Sequence, residues 1–421
     1  MKDYKGLFKN KKFIFLLNSQ VLSQITIQIM NFTLLIKLFS DTNSPLATSF
    51  LWVFYALPVV FFGPIASTSV DILNRRKILI FSNLFQSLTI LVFALYSQTS
   101  IFLIYGIVMV YSFFNQFYVP AELATLPSLV KKKFLPQANG LFFITQQASI
   151  IVGFSVAGIL NSFIGFTNTL FLGSFLLFLA FVNVIFLPDM KVKKSVSGKY
   201  EKDLIGFFRR LFDGYLFIKN NRLVLAPLAL LVILNISLAV IVVNMPVIAK
   251  EILSINLELA GILMVIPSAV GAGIAAVYIP KKLKLGTRKF SIIQSSIIVL
   301  TVSLASFSLL IPQFLGGMRT LVSFLVLVAT GYSFVGIFIP TQTLLQEVTP
   351  QEFRGRVFGN FWFMMTIATI FPVIFSGTIS EIFGAKFLIF MLFLAYLGLV
   401  ILVHKKGKEF VKNGFKINNE K

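Results

Sequence analysis

The chain has 421 residues, of which 57% are hydrophobic and only 12% are charged, and its mean hydropathy is +0.90. A soluble protein of this length needs far more polar surface, so the composition excludes a soluble globular fold. Without cysteine and with a single histidine, the sequence lacks the parts of a thiolate metal site, a zinc site or a Ser-His-Asp triad. We therefore expect no catalytic residue, no metal and no cofactor.

Apolar runs of about 20 residues, the length that crosses ~30 Å of hydrocarbon, recur along the chain. They are continuous rather than alternating, which predicts helices and not barrel strands. The predicted fold is an all-α integral membrane protein with twelve transmembrane helices. The predicted spans are 13–39, 46–70, 78–97, 101–122, 138–163, 167–187, 223–249, 257–280, 290–311, 320–345, 357–382 and 385–403.

The net charge of +22 could indicate a nucleic-acid partner, but its distribution argues against one. If residue 1 lies inside, the inner segments hold 33 of the 37 lysines and arginines. Those outside are Lys37, Lys250, Arg319 and Lys386. This asymmetry predicts a cell-membrane protein with both termini in the cytoplasm and a basic inner face against anionic membrane lipids.

The longest polar interval divides the predicted spans six and six. We expect an N-terminal six-helix half over 1–187, a cytoplasmic linker with an amphipathic helix over 188–222, and a C-terminal half with a basic tail over 223–421. The halves echo each other, since "VPAELATLPSLVKKK" and "IPTQTLLQEVTPQEFRGR" begin 220 positions apart. Such a repeat suits a transporter whose halves rock about a site at the midplane.

The stretch from Gly63 to Leu79 reads "GPIASTSVDILNRRKIL" and contains the predicted short inner loop, Asp71 to Lys77, that joins the second and third spans. Small residues from Gly63 onward favour close approach of a neighbouring helix, and Asp71 can meet a helix terminus or an arginine. Together with Arg75 and Arg76, it could form a latch that holds one conformation. Alternatively, the basic cluster only sets topology.

This loop resembles the signature of the major facilitator superfamily, Gly-x-x-x-Gly-x-x-x-Asp-Arg-x-x-Arg-Arg-Lys. The sequence departs from it at two positions, Ser67 and Ile72. The resemblance implies that Asp71 contacts the Gly355–Arg356 turn at the start of the eleventh helix, and that Arg75 or Arg76 pairs with Glu122 at the end of the fourth.

Two further stretches, "FYVPAELATLPSLVKKKFLPQANGLF" and "PTQTLLQEVTPQEFRGRVFGNFW", resemble the drug-exporter branch of that superfamily, which includes macrolide-efflux and enterobactin-exporter-like proteins. The fifth helix carries "VGFSVAGIL", which is similar to the Gly-Pro-x-x-x-Gly pattern of antiporters. Gly153 and Gly158 match that pattern, and Phe154 replaces its proline.

Polar residues inside spans are costly unless they face protein or water, so they are candidates for a substrate path. Two stripes each fall on one helix face, within about 80° in the first helix and 60° in the fourth. The candidates are Gln20, Gln24, Gln28, Asn31, Tyr111, Asn115, Tyr118, Gln146, Gln147, Asn235 and Asn360. Hydrogen bonds between helices explain any one of them equally well.

The function predicted from these features is a secondary active transporter, working as a monomer by alternating access. Amides dotted among Phe and Met suit the export of amphipathic drugs or other lipophilic small molecules. No P-loop is present, so ATP does not drive transport from this chain, and Glu122 is the candidate for proton antiport. The alternatives are a lysophospholipid flippase, a siderophore exporter and a non-transporting membrane sensor.

Overall fold

A computed structural model of the chain describes residues 7–96, 100–190, 215–216 and 218–418. Within those ranges, the structure describes only the backbone at positions 68, 71–72, 222, 351–364 and 405–418. The described residues form helices joined by short turns and contain no strand. Most of the linker in which the amphipathic helix was predicted, residues 191–214, lies outside the described residues.

The chain divides into two compact units, Met1–Phe212 with Leu257–Ile262, and Asp213–Asn256 with Leu263–Lys421. The helices of the first unit are α1 (Lys11–Thr42), α2 (Pro45–Ile72), α3 (Arg75–Tyr96), α4 (Ile101–Leu129), α5 (Leu135–Ile185) and, later in the chain, the short α8 (Leu257–Ala260). The helices of the second unit are α6 (Arg222–Val243), α7 (Met245–Ile248), α9 (Ile266–Lys284), α10 (Lys289–Ala305), α11 (Gly316–Val348) and α12 (Gln351–Asn418).

Helix ends in the first unit follow from local sequence. Asn10 caps α1 by accepting from the backbone N–H groups of Lys12 and Phe13, and its amide donates to Leu129 O at the end of α4, 2.7 Å away. α1 ends because Asn43 adopts a left-handed conformation (φ 51°), which asparagine tolerates better than most residues. Ser44 then caps α2 by accepting from Ala47 N–H at 3.1 Å.

Two helices are too long for one crossing and contain a break. α5 has 51 residues and breaks at Gly165, and α12 has 68 residues and breaks at Gly384. Both glycines have φ 81° and ψ 166°, a conformation that a side chain disfavours, and they lie 219 positions apart, close to the repeat seen in the sequence. Among the described residues, ten helical stretches are long and apolar enough to span a membrane. The two stretches that contain Gly165 and Gly384 hold two crossings each. The ten stretches therefore supply the twelve predicted crossings.

The break at Gly384 is stabilised by a tertiary cap. Glu251 Oε2 accepts from the backbone N–H of Ala385, the first residue after the break, at 2.7 Å. The carboxylate satisfies one of the free N–H groups at the start of the last crossing and lies favourably at the positive end of its dipole. In the same unit, the Arg319 guanidinium donates to Ser254 Oγ and to the carbonyls of Phe314 and Pro312. These bonds tie together three turns of the second unit.

Packing within each unit pairs corresponding helices. In the first unit α2 packs on α4, and α3 packs on α4 and α5; in the second, α9 packs on α11, and α10 packs on α11 and α12. α1 runs along α5. The core of the first unit is apolar toward the N-terminus of α1, where Phe13, Leu16 and Leu79 are fully buried. Beyond this layer, the interior contains polar side chains.

Candidate functional site

An inner polar cluster lies where α1, α3 and α4 meet in the first unit. Ser19, Asn83 and Tyr118 are fully buried, and Glu122 is 3% exposed. The Asn83 amide donates to Ser19 Oγ at 3.0 Å, the Ser19 and Tyr118 hydroxyls are 3.0 Å apart, and the Tyr118 hydroxyl donates to Glu122 Oε1 at 3.5 Å. This inner cluster therefore buries a carboxyl group among neutral hydroxyl and amide partners, where its charge state has a large energetic effect.

A second group, the midplane cluster, consists of Asn31, Tyr55, Tyr111 and Asn115. Asn115 is the middle residue of the 29 in α4, which places the cluster near the centre of that crossing. The Tyr111 hydroxyl donates to Asn31 Oδ1, the Tyr55 and Tyr111 rings are 6.1 Å apart, and the Tyr55 side chain interacts with Asn31 and Asn115. The cluster thus offers two amides and two phenols, which donate and accept hydrogen bonds without carrying charge.

The predicted stripe on α1 divides between two neighbours. Asn31 bonds to α4, as described above, whereas Gln20 bonds to α5. Its amide donates to Phe142 O at 3.0 Å, and Thr145 Oγ1 donates to Gln20 Oε1 at 2.9 Å. Gln24 is buried and Gln28 is half-buried. Gln20 therefore joins two helices, the alternative role considered for these amides.

The remaining predicted path residues are Gln146, Gln147, Asn235 and Asn360. Gln146 and Gln147 are exposed on α5, and Asn235 is half-buried on α6. The side chain of Asn360 lies outside the described residues. A role for these four residues in a substrate path stays a prediction.

The predicted ion pair between Glu122 and Arg75 or Arg76 is wrong in this structure. The Arg75 guanidinium donates to Ala124 O at 2.8 Å and Val70 O at 3.4 Å, and that of Arg76 donates to Ile185 O. Both arginines reach backbone carbonyls near the ends of neighbouring helices, whereas the Glu122 carboxyl lies deeper and bonds to Tyr118. Carbonyls at helix C-terminal turns are favourable partners for cations. The two arginines therefore bind these carbonyls instead of the predicted Glu122 carboxylate.

Other parts of the predicted latch are only partly described. The side chains of Asp71 and Arg356 lie outside the described residues, so the predicted contact of Asp71 with the Gly355–Arg356 turn stays a prediction. At Gly63, a Cβ atom would meet no atom within 4 Å. The structure therefore shows no close contact at this position among the described residues, and the expected close approach of a helix stays a prediction.

The two predicted glycines of α5 both lie at close helix contacts in the first unit. A Cβ at Gly153 would lie 2.4 Å from Gln28 Cβ on α1. A Cβ at Gly158 would lie 1.8 Å from Glu258 O on α8, and one at Gly261 would lie 2.2 Å from Phe154 O. These distances are far below van der Waals contact, so only glycine permits the backbones to approach this closely.

Comparison with known proteins agrees with this geometry. The sequence model of the Major Facilitator Superfamily matches residues 16–372. The chain belongs to this superfamily. Its predicted membership and its all-helical membrane fold are thereby confirmed, and it is a multi-pass membrane transporter rather than an enzyme.

Three members of the superfamily illustrate the range of similarity. "Uncharacterized MFS-type transporter YfiS" of Bacillus subtilis is 26% identical over 415 residues, 96% of each chain. Macrolide efflux protein A of Streptococcus pyogenes is 30% identical over 156 residues, 36% of this chain and 38% of that protein. The crystal structure of nucleoside transporter NupG matches with a TM-score of 0.71 and 16% identity, covering 94% of this chain and 99% of that one. At this identity, the structural likeness shows the fold alone.

Sequence reasoning missed several members of the two clusters. Ser19, Asn83 and Tyr55 were not singled out, nor was Gln86, whose amide donates to Tyr111 O at 3.1 Å. Asn83 and Gln86 lie three positions apart within an apolar span, which puts them on one helix face. The same test that selected the stripes of the first and fourth helices would have found this pair on the third.

Proposed function

We propose that this superfamily member exports amphipathic or lipophilic small molecules by alternating access, with the midplane cluster as part of the substrate path. The observation that carries the proposal is the chemistry of that cluster, which combines two amides with two phenols. Uncharged donors and acceptors next to aromatic rings favour large, weakly polar molecules. An anionic substrate would instead need a cation at the site.

Similarity in sequence supports the same substrate class. The stretch of 156 residues shared with macrolide efflux protein A covers 36% of this chain. Macrolides are large and amphipathic, so they are the first candidates among drugs. A monomer is sufficient for this function, because both polar clusters are built within a single unit.

We further propose that export is coupled to the entry of protons through Glu122. The carboxyl group is 3% exposed and its hydrogen-bond partner is the neutral Tyr118 hydroxyl rather than an arginine. A buried carboxyl whose surroundings change between two conformations can take up a proton in one and release it in the other. The Arg75 bond to Ala124 O leaves the Glu122 carboxyl available for this role.

An efflux panel tests the substrate class. Cells that produce the protein should export macrolides and lipophilic dye cations, and export should fall when the pH gradient is collapsed. Lysophospholipids and a catecholate siderophore belong in the same panel, because they represent the rival cargoes. Export of only the siderophore, or movement of only the lysophospholipid, would contradict the proposed substrate class.

The proposed orientation places both termini in the cytoplasm of a cell-membrane protein, and cysteine labelling tests it. The chain has no cysteine, so a single introduced cysteine is the only site in it that a maleimide can label. In intact cells, an impermeant maleimide should leave Ser195→Cys and Asn418→Cys unlabelled and should label Leu315→Cys, at an 80% exposed residue predicted to be outside. Labelling of Ser195→Cys or Asn418→Cys without permeabilisation would contradict this topology.

A further inference from the structure

A groove of about 410 Å³ runs between α10 and the last crossing of α12, within the second unit. We call it the α10–α12 groove. That volume lies within the range of about 300–1,000 Å³ that is usual for ligand sites. Val302 and Leu309 are 59% and 53% exposed, so the groove is open to its surroundings. Its walls include Ile298, Val302 and Leu309 of α10 and Phe393, Leu397 and Val400 of α12.

Three other residues that line the groove, Thr301, Ala305 and Ser306, have short side chains, which give it depth. The Thr301 hydroxyl donates to Ile297 O at 2.8 Å, and the Ser306 hydroxyl donates to Val302 O at 2.9 Å. Because both hydroxyls are satisfied within α10, they ask for no partner inside the groove. The groove therefore suits a hydrocarbon better than a polar molecule.

One end of the groove, at Leu309 and Leu310, coincides with a change in helix geometry. Ser306–Leu310 form a π-helical turn, in which the backbone N–H of Ile311 donates to Ser306 O. Such a turn is wider than an α-helical one, so it interrupts the regular rows of side chains with which α10 would pack on α12. The groove thus follows from the backbone of α10 and not only from the size of its side chains.

The opposite end of the groove leads to a polar contact between the same two helices. About one turn beyond Ile298 and Val400, the amide nitrogen of Gln294 lies 3.3 Å from His404 Nδ1. An amide nitrogen can only donate, so Nδ1 accepts and the hydrogen of the ring is on Nε2. His404 is exposed, and the sequence after it reads "KKGKEF". This end of the groove therefore offers a hydrogen-bond donor and a run of positive charge.

The length of the groove matches half of a bilayer. From Ile298 to Leu310, α10 rises about 18 Å at 1.5 Å per residue, close to the ~15 Å of hydrocarbon in one leaflet. In the predicted orientation, His404 follows the last residue of the twelfth span and lies at the inner membrane surface. The groove then extends from just above that surface into the hydrocarbon.

We propose that the α10–α12 groove binds one anionic phospholipid of the inner leaflet. One acyl chain lies along the groove, and the phosphate accepts from His404 Nε2 and is attracted by the basic segment that follows. A second copy of this chain is a poorer occupant, because it would bring a second basic segment to the same end. The site does not depend on the proposed export function.

Native mass spectrometry of the purified full chain in detergent tests the site. The probes are phosphatidylglycerol and phosphatidylcholine with the same two oleoyl chains, so that only the headgroup differs. One phosphatidylglycerol per protein should be retained at about tenfold lower added lipid than phosphatidylcholine. Equal retention of the two lipids would overturn the proposal. So would a dimer mass in place of the lipid-bound monomer, because it would assign the groove to a second copy.

Filling the groove locates the bound acyl chain. Ala305→Phe places a ring in the groove, whereas Ala395→Phe is the matched control, because Ala395 is exposed on α12 and is not among the residues that line the groove. Ala305→Phe should weaken the retention of phosphatidylglycerol about tenfold, and Ala395→Phe should match the wild type. Unchanged retention by Ala305→Phe would place the lipid elsewhere and overturn the proposal.

Removing the positive charge locates the headgroup. Replacing His404 by alanine and the three lysines of 405–408 by glutamine should abolish the preference for phosphatidylglycerol. The control replaces the three lysines of 131–133, another predicted inner segment, by glutamine and should keep that preference. Should Ala305→Phe fail to fold, this pair of variants decides. Loss of the preference in both variants, or in neither, would overturn the proposal, because the basic inner surface as a whole would then account for lipid binding.

Discussion

Replacing Glu122 by glutamine is expected to abolish efflux driven by a pH gradient while substrate binding and exchange persist. Glutamine keeps the volume of the acid and imitates its protonated form, but it cannot release a proton. The loss should be about 100-fold or more, the usual effect of removing a group that transfers protons. The measurement compares pH-driven efflux with exchange of labelled substrate in the same proteoliposomes.

The control for this variant is Glu347→Gln. Glu347 pairs with Lys289, and its side chain is 54% exposed, so its loss should have little effect on transport. Combining Glu122→Gln with Arg75→Gln should restore nothing, because Arg75 bonds to carbonyls and not to Glu122. Normal pumping by Glu122→Gln would place the coupling elsewhere, and rescue by the second substitution would favour a gate role instead.

Replacing Gly158 by alanine should destabilise the protein more than the same change at Gly153 or Gly261, because its Cβ would make the shortest contact of the three. The added Cβ would lie 1.8 Å from the Glu258 carbonyl oxygen, and a backbone atom cannot move aside as a flexible side chain can. Overpacking of this kind costs about 1–3 kcal/mol and sometimes more. The melting temperature of the purified protein in detergent should therefore fall by several degrees.

Gly106→Ala is the matched control for this prediction. A Cβ at Gly106, in α4, would meet no atom within 4 Å, so the same change should leave the melting temperature unaltered or raise it slightly. Equal melting temperatures for Gly158→Ala and the wild type would mean that α5 and α8 do not approach as closely as the structure places them.

The spans could be predicted because membrane crossing depends on the length of apolar runs, which a sequence states directly. The two breaks in long helices were predicted as boundaries between spans, at 163–167 and 382–385, and the structure places Gly165 and Gly384 there. The cap that Glu251 provides for Ala385 could not be foreseen, since it joins residues 134 positions apart. Contacts of that kind depend on packing rather than on local sequence.

Residue spacing along a helix predicted which polar side chains of the two stripes are buried, but not which partners they contact. Spacing alone predicted that Asn31, Tyr111 and Tyr118 face inward, and all three are buried. It could not decide whether they meet substrate or one another, because that depends on which helices are neighbours. Asn31 and Tyr111 in fact bond to each other.

The wrong ion pair between Glu122 and an arginine has a simple physical origin. An arginine and a glutamate near the same ends of two neighbouring helices are expected to form an ion pair. Backbone carbonyls, however, compete with the carboxylate for the guanidinium. Arg75 is nearer to Ala124 O, and the buried Glu122 finds a hydroxyl partner without exposing its charge. A sequence does not record how deep a side chain lies, and depth decided this contact.

The most direct measurement of the central claim is the proton movement that accompanies export. Proteoliposomes loaded with a transported macrolide and the pH dye pyranine are diluted into buffer without macrolide, with no initial pH difference. Antiport predicts that the lumen acidifies as the macrolide leaves, and that Glu122→Gln abolishes the acidification. Departure of macrolide through the wild-type protein with no change in luminal pH, or equal acidification by Glu122→Gln, would contradict the account.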